Sequence, residues 1–143
     1  MPSFSPSSIS KLATCDVRLR EIAELAVQDF DFSVVCGHRD KEEQDKAVRF
    51  GFSKAPFPTS KHNSYPSKAM DLVPYPEGYK VPERMKDLAK HILVVAEAQG
   101  TKIRWGGDWN MNGRSDDEKF IDMPHFELVE EKEHEAPVTR ASK

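Results

Sequence analysis

Residues 60–71 read SKHNSYPSKAMD, and a second stretch that begins at Asp122 reads DMPHFEL. Together they offer the imidazoles of His62 and His125 and the carboxylate of Asp71, a known set of zinc ligands that leaves a fourth position open for water. Asp122 is a spare carboxylate three residues before the second histidine. Short apolar runs beside these residues predict strands, so we expect a sheet and the loop feeding it to bring the ligands to one point.

Hydrophobic periodicity divides the rest of the chain into helices and short strands. Helices are expected at about 16–29, at 41–50 and from Pro82 to Gly100, and strands at 32–37, 68–73, 103–105 and 124–129. Because helices precede and interrupt the strands, we expect an α+β fold, with a small antiparallel sheet flanked by about three helices. Residues 1–13 are rich in Ser and Pro and are expected to lie extended over the surface.

Length and composition narrow the class of protein. The chain has 143 residues, 31% of them charged, and a net charge of −3. This predicts one domain and argues against a nucleic-acid-binding protein, since those carry a basic stripe. The sequence has no apolar run near membrane-span length, so we expect no membrane insertion. Residues 131–143 are charged and lack apolar periodicity, which predicts a disordered tail after a domain at 1–130.

Four ordered motifs resemble those of the LAS zinc metallopeptidases, which include D-Ala-D-Ala peptidases, lysostaphin-type enzymes and Hedgehog-like domains. Residues 60–74 resemble their first zinc motif, 122–127 the second, 36–44 a substrate-side segment, and RWGGDW at 104–109 a further shared stretch. The resemblance is closer to phage endolysins of the L-alanyl-D-glutamate endopeptidase type and covers about residues 10–129. The gap from His62 to Asp71 is longer than in many LAS enzymes and is similar to that of some endolysin-like members.

The resemblance implies that 1–130 is a zinc peptidase domain. It implies a peptidoglycan hydrolase that cleaves the L-Ala–D-Glu bond of the stem peptide by zinc-activated water. One Zn²⁺ per chain would be bound by His62, Asp71 and His125. Asp122 would be the general base and acid, and Arg39 the positive charge that stabilises the oxyanion.

Three more residues are candidates for substrate binding. Ser60 lies two residues before the first zinc ligand and is expected to hydrogen-bond substrate or a ligand. Trp109 follows Asp108 and is a candidate for lining the cleft. Gln44 belongs to the substrate-side segment, although a structural role fits it better than a catalytic one.

Other interpretations of the same residues stay open. Taken singly, a histidine in a loop is more often a hydrogen-bonded residue than a metal ligand. Asp122 could be only a strand cap, and Arg39 only a partner in a surface ion pair. The same zinc chemistry would serve a D-Ala-D-Ala carboxypeptidase or dipeptidase. A catalytically inactive cell-wall-peptide binding module is the third class, and its signature, loss of Asp122 or Arg39, is not present.

The run DWNMNG at residues 108–113 matches the first half of an EF-hand calcium loop. The closing glutamate is missing, because position twelve is Lys119. The candidate Ca²⁺ ligands are Asp108, Asn110, Asn112 and Asp116. The alternative is a solvated turn held by side-chain hydrogen bonds of its Asp and Asn residues.

The expected partner is the peptidoglycan stem peptide, with no nucleic acid, and the expected state is a monomer. The N-terminus lacks the basic start and apolar core of a secretory signal, so we expect synthesis in the cytoplasm without a signal peptide. An endolysin of this kind would then act on the cell wall in the periplasm after membrane permeabilisation by a holin-type route.

Overall fold

The structure is a computed structural model that describes residues 3–111 and 121–130. The helices are α1 Pro6–Leu12, α2 Val17–Ala26, α3 Lys41–Arg49 and α4 Pro82–Ala98, and a 3-10 turn spans Lys61–Asn63. The strands are β1 Phe32–Cys36, β2 Ala69–Pro74, β3 Ile103–Trp105 and β4 His125–Leu128. Each element expected from the sequence is present to within a few residues, and the α+β fold with an antiparallel sheet is confirmed.

The N-terminal segment differs from the expectation of an extended chain, because residues 6–12 form α1. Ser5 caps this helix by accepting the N–H of Ser8 at 3.2 Å, and Pro6 occupies a first-turn position where its missing N–H is not needed. The buried Ser8 hydroxyl accepts the N–H of Val34 at 2.9 Å. The helix therefore covers part of the edge strand β1. This contact stabilises a short polar helix that the hydrophobic periodicity of the sequence does not predict.

The sheet has the strand order β1-β2-β4-β3, with every neighbouring pair antiparallel. Successive side chains in a strand point to opposite faces. One face joins the hydrophobic core with α2 and α4, and its residues from the two central strands are Met70, Leu72, Phe126 and Leu128. The opposite face therefore carries the polar residues between them, including Asp71 and His125.

Strand register places three chemically active residues in one row across the sheet. Asp71 on β2 pairs with His125 on β4 and with Cys36 on β1. A bulge between Val34 and Cys36 shifts the β1 register so that Cys36, and not Val35, is opposite Asp71. Directly opposite residues present their side chains on the same face, so the row forms the floor of the polar site.

Some sequence-based predictions concern residues outside the described ranges. The tail at 131–143 is one of these, and Asn112 and Asp116 of the candidate calcium loop are others. Asp108 and Asn110 are described, and the calcium hypothesis stays a prediction. Among the helices of residues 3–111 and 121–130, none combines the length and the apolar character needed to span a bilayer.

Candidate metal centre

Three donor atoms from distant parts of the chain lie close together. His62 Nε2 is 3.1 Å from Asp71 Oδ1 and 3.2 Å from His125 Nδ1, and the last two atoms are 3.3 Å apart. Tetrahedral zinc with bonds of about 2.0–2.1 Å places its ligand atoms roughly 3.3–3.4 Å from each other. The triangle therefore has nearly the size of one face of a zinc tetrahedron, and the residues present fit the metal.

Local hydrogen bonds fix the orientation of His62. Ser60 caps the 3-10 turn, and its hydroxyl accepts the N–H of His62 at 3.2 Å. The imidazole is 1% exposed, and its Nδ1 lies 2.7 Å from the carbonyl oxygen of Gly37. Since a carbonyl can only accept, Nδ1 carries the proton, which in the neutral ring leaves the lone pair on Nε2 for a metal.

His125 is held from its other nitrogen by a residue that the sequence motifs did not single out. Its Nε2 lies 2.7 Å from Glu127 Oε1, so the Glu127 carboxylate accepts this proton and Nδ1 faces the other two donors. Glu127 is also 3.7 Å from Lys61 Nζ and 3.6 Å from Arg104 Nε. Residues two apart on a strand share a face, so the position of Glu127 on β4 was a signal that could have identified it.

The electrostatics of the cluster follow from burial and close charges. Burial lowers the pKa of His62, but the Asp71 carboxylate outweighs burial and raises it to about 10. Burial likewise opposes the charge on His125, whose pKa is nevertheless raised by hydrogen bonds to Asp71 and Glu127. The pKa of Asp71 would be raised by burial, yet the two imidazoles hold it well below its usual range. The cluster thus favours a bound positive charge.

Asp122 lies beside the three donor atoms, with Oδ2 4.0 Å from His125 Nδ1. Burial and the nearby Asp71 charge raise the pKa of Asp122 to about 6. Its position depends on Gly106, whose carbonyl accepts the N–H of Asp122 at 2.9 Å and whose N–H donates to the His125 carbonyl at 2.8 Å. A Cβ on Gly106 would approach the Asp122 carbonyl oxygen to 2.1 Å, so only glycine fits this connection.

Arg39 borders the same cluster from the β1–α3 loop. Its Nη2 is 3.6 Å from Asp71 Oδ2, and its Nη1 donates to Gln44 Oε1 at 2.8 Å. Gln44 is fully buried, and its amide nitrogen donates to Ser53 Oγ and to the Ala55 carbonyl. These protein partners make Gln44 a support for the Arg39 guanidinium, which fits the structural role considered for it, and its contact with substrate stays a prediction.

Cys36 places a thiol, which is a possible metal ligand, near the cluster. Its sulfur and ligand atoms of His62 and Asp71 lie within 4.8 Å of one another. The sulfur is 3.8 Å from Nδ1 of His62, the nitrogen whose proton the Gly37 carbonyl accepts, and 3.6 Å from Arg39 Nη2. The thiol therefore lies beside Nδ1 of His62 and not beside Nε2, the nitrogen that faces Asp71 and His125. For this reason the two imidazoles with Asp71 match a tetrahedral zinc site better than a set that contains Cys36.

Two cavities meet at this cluster, and both are bordered by Arg39 and Asp122. The larger, about 820 Å³, extends toward the end of α3 and is called here the apolar cavity. The smaller, about 350 Å³, is called the polar cavity and is lined by Ser60 and Trp109, among others. The Trp109 ring lies 5.4 Å from that of His125. The structure therefore places both of these expected substrate-binding residues beside the metal centre.

Comparison with known proteins agrees with this geometry. A family model of the phage L-alanyl-D-glutamate peptidases matches residues 2–129. The chain is 30% identical over 134 residues to the L-alanyl-D-glutamate peptidase of Escherichia phage T5. The matched region covers 88% of this chain and 97% of that relative. The crystal structure of the L-Ala D-Glu endopeptidase ChiX of Serratia marcescens superposes with a TM-score of 0.69 at 26% identity, covering 89% of this chain and 90% of that one. The chain belongs to the family of phage L-alanyl-D-glutamate peptidases.

Proposed function

We propose that this protein is a zinc peptidase that hydrolyses the L-Ala–D-Glu bond of the peptidoglycan stem peptide. The observation that carries the zinc assignment is the triangle of donor atoms from His62, Asp71 and His125, with edges of 3.1 to 3.3 Å. The family, and the activity after which its relatives are named, support the choice of bond. When bound, zinc would supply a Lewis acid that acidifies a water molecule and polarises the scissile carbonyl.

Asp122 is the residue we infer to move protons. Its carboxylate lies next to the ligand triangle and borders both cavities, so a peptide bond lying across the site would pass beside it. A pKa near 6 lets a carboxylate accept a proton at neutral pH and return it to the leaving amine. This geometry supports the role of general base and acid over that of a strand cap.

Arg39 is the residue we infer to stabilise the developing oxyanion. Its guanidinium borders both cavities and is only 14% exposed, so its charge acts where little water screens it. Gln44 accepts a hydrogen bond from Nη1 of the Arg39 guanidinium, and the Arg39 backbone N–H donates to the His62 carbonyl at 2.8 Å. These bonds hold the guanidinium in place before substrate binds.

Ser60 and Trp109 are inferred to contact the bound peptide from the polar cavity. The Ser60 hydroxyl already accepts the N–H of His62, so a contact with substrate would use its remaining donor. The indole beside His125 supplies one wall of the cavity. We further infer that the protein acts as a monomer on the cell wall after a holin-type protein has permeabilised the membrane.

The test is digestion of purified peptidoglycan by the zinc-loaded protein, with and without a chelator, followed by mass analysis of the products. We expect new amino-terminal D-Glu and free L-Ala carboxyl ends, lost on chelation and restored by zinc. Release of D-Ala instead would keep the zinc chemistry and replace the proposed bond with that of a D-Ala-D-Ala carboxypeptidase. Stoichiometric zinc without any product would favour a binding module and overturn the proposed activity.

A further inference from the structure

The two cavities that meet at the metal centre differ in chemical character. Both cavities border Arg39 and Asp122, so a peptide whose scissile bond lies between these residues has one cavity available for each half. The substrate is also asymmetric about the bond. The character of each cavity can therefore identify the half of the substrate that it receives.

The apolar cavity has large exposed hydrophobic side chains at its rim, and apart from the residues of the metal centre its charged lining residues are Glu43 and Lys46. Phe50 is 63% exposed, Phe52 72%, Tyr79 62% and Ile121 43%, and all four line this cavity. A cluster of exposed apolar side chains is unfavourable in water, and such patches usually mark a binding surface. The cavity is continuous with the inferred catalytic residues, so its occupant is expected to be part of the substrate.

The two phenylalanines are held by a defined turn at the end of α3. Gly51, with φ of +84°, donates its N–H to the Val48 carbonyl at 3.1 Å, and Phe52 donates to the Ala47 carbonyl at 2.8 Å. This is the hydrogen-bond pattern of a Schellman motif. The turn fixes the backbone from which both rings project, so little order must be gained when a ligand packs on them.

The polar cavity has a different lining. It is lined by the hydroxyl residues Ser53, Thr59 and Ser60, by Lys54 and Lys61, and by Glu127, whose carboxylate lies 3.7 Å from Lys61 Nζ. Such groups suit a ligand that carries carboxylates and hydrogen-bonding amides. An apolar ligand would displace water from this lining without replacing the hydrogen bonds of that water, at a cost in binding free energy.

The two halves of the L-Ala–D-Glu substrate match this division. On the acyl side are the L-Ala methyl, the lactyl and acetyl methyl groups of N-acetylmuramic acid and the C–H face of its sugar ring, with no charge. On the amine side are the free carboxylate of D-Glu and the charged residue that follows it in the stem. Uncharged, methyl-rich groups favour an apolar cavity, whereas carboxylates favour one bordered by cations.

We propose that the apolar cavity binds the N-acetylmuramoyl-L-alanyl half of the substrate, with Phe50 and Phe52 packing against the sugar. This inference rests on the proposed L-Ala–D-Glu activity. The enzyme then recognises the stem peptide together with the glycan that carries it. The polar cavity receives the D-Glu half, which fixes the direction of the peptide across the metal centre.

The test compares two substrates with the same L-Ala–D-Glu stem, one carrying N-acetylmuramic acid and the other a plain N-acetyl group. We expect the wild-type protein to have a higher kcat/KM for the muramoyl substrate. In Phe52→Ala and in Phe50→Ala this preference should fall, on the order of tenfold if one ring loses its buried contact. Tyr75→Ala is the matched control, because Tyr75 is 58% exposed and lies outside the lining of both cavities.

Equal kcat/KM for the two substrates in the wild type, or an unchanged ratio in both phenylalanine variants, would overturn the inference. A binding measurement separates it from the proposed activity, because it does not depend on turnover. N-acetylmuramoyl-L-alanine should bind the wild type about tenfold more tightly than Phe52→Ala, while a D-Glu–diaminopimelate dipeptide should bind both alike. If only the dipeptide loses affinity, or neither does, the assignment of the cavities is incorrect even where cleavage at L-Ala–D-Glu is observed.

Discussion

Replacing Glu127 tests the support of the metal centre at a residue that does not touch the metal. Its carboxylate accepts the Nε2 proton of His125 at 2.7 Å and lies between Lys61 and Arg104. Glu127→Ala removes a charge-assisted hydrogen bond, which contributes about 1.5–3 kcal/mol, and leaves two cations without this partner. Loss of such a support typically weakens metal binding 10- to 100-fold, or about 1.4–2.7 kcal/mol.

The assay is competition for zinc between the protein and a chromophoric chelator at fixed pH. Glu127→Ala should weaken zinc binding 10- to 100-fold. Glu127→Gln should lose less, because an amide oxygen still accepts the imidazole proton. Glu130→Ala is the matched control, since Glu130 pairs with Lys68 at 3.2 Å and not with a ligand. A folded Glu127→Ala protein with wild-type zinc affinity would refute the reasoning that this carboxylate fixes His125.

Three other predictions follow from the same geometry. Asp122→Asn should lower kcat by about 10²- to 10⁴-fold while zinc binding persists, and near-wild-type turnover would exclude Asp122 as the base. Because the raised pKa of His62, about 10, keeps its imidazole protonated at pH 7.5 without metal, zinc must displace that proton. Calorimetry in buffers of different ionisation enthalpy should then show at least one proton released, with affinity rising about tenfold per pH unit toward pH 10. Gly106→Ala should lower the free energy of unfolding by about 1–3 kcal/mol and displace Asp122, and an unchanged melting temperature would contradict the 2.1 Å contact.

Elements with strong local signals could be predicted from the sequence. The helix α3 begins at Lys41 as expected, after a capping box formed by Asp40 and Glu43, and Pro82 occupies the first turn of α4. His62, Asp71 and His125 were predicted as metal ligands from residue type and motif, and the structure brings them together although they span more than sixty positions. Local pattern was sufficient here because each segment carries its own stop or start residue.

Features that depend on tertiary contacts could not be predicted in the same way. The helix α1 is stabilised by the hydrogen bond that the Val34 N–H donates to the Ser8 hydroxyl. No pattern within residues 6–12 predicts that partner. Asp71 lies inside β2, within the strand predicted at 68–73, and has core residues on either side. Its alignment with Cys36 depends on a bulge, which shifts the register by one residue and cannot be seen in the composition of β1.

The segment after β1 has a structural role that its motif does not suggest. Gly37 offers its carbonyl to His62 Nδ1, and Arg39 donates its N–H to the His62 carbonyl, so this segment braces the loop ligand from two directions. A Cβ on Gly37 would come within 2.4 Å of Thr14 Oγ1, so the brace is itself packed against the chain that follows α1. Asp71 and His125 are fixed by the sheet, whereas His62 depends on these bonds. Because Arg39 belongs to the same segment, a displacement of the segment would move both its guanidinium, which we infer to stabilise the oxyanion, and His62. Zinc affinity and turnover should therefore decrease together.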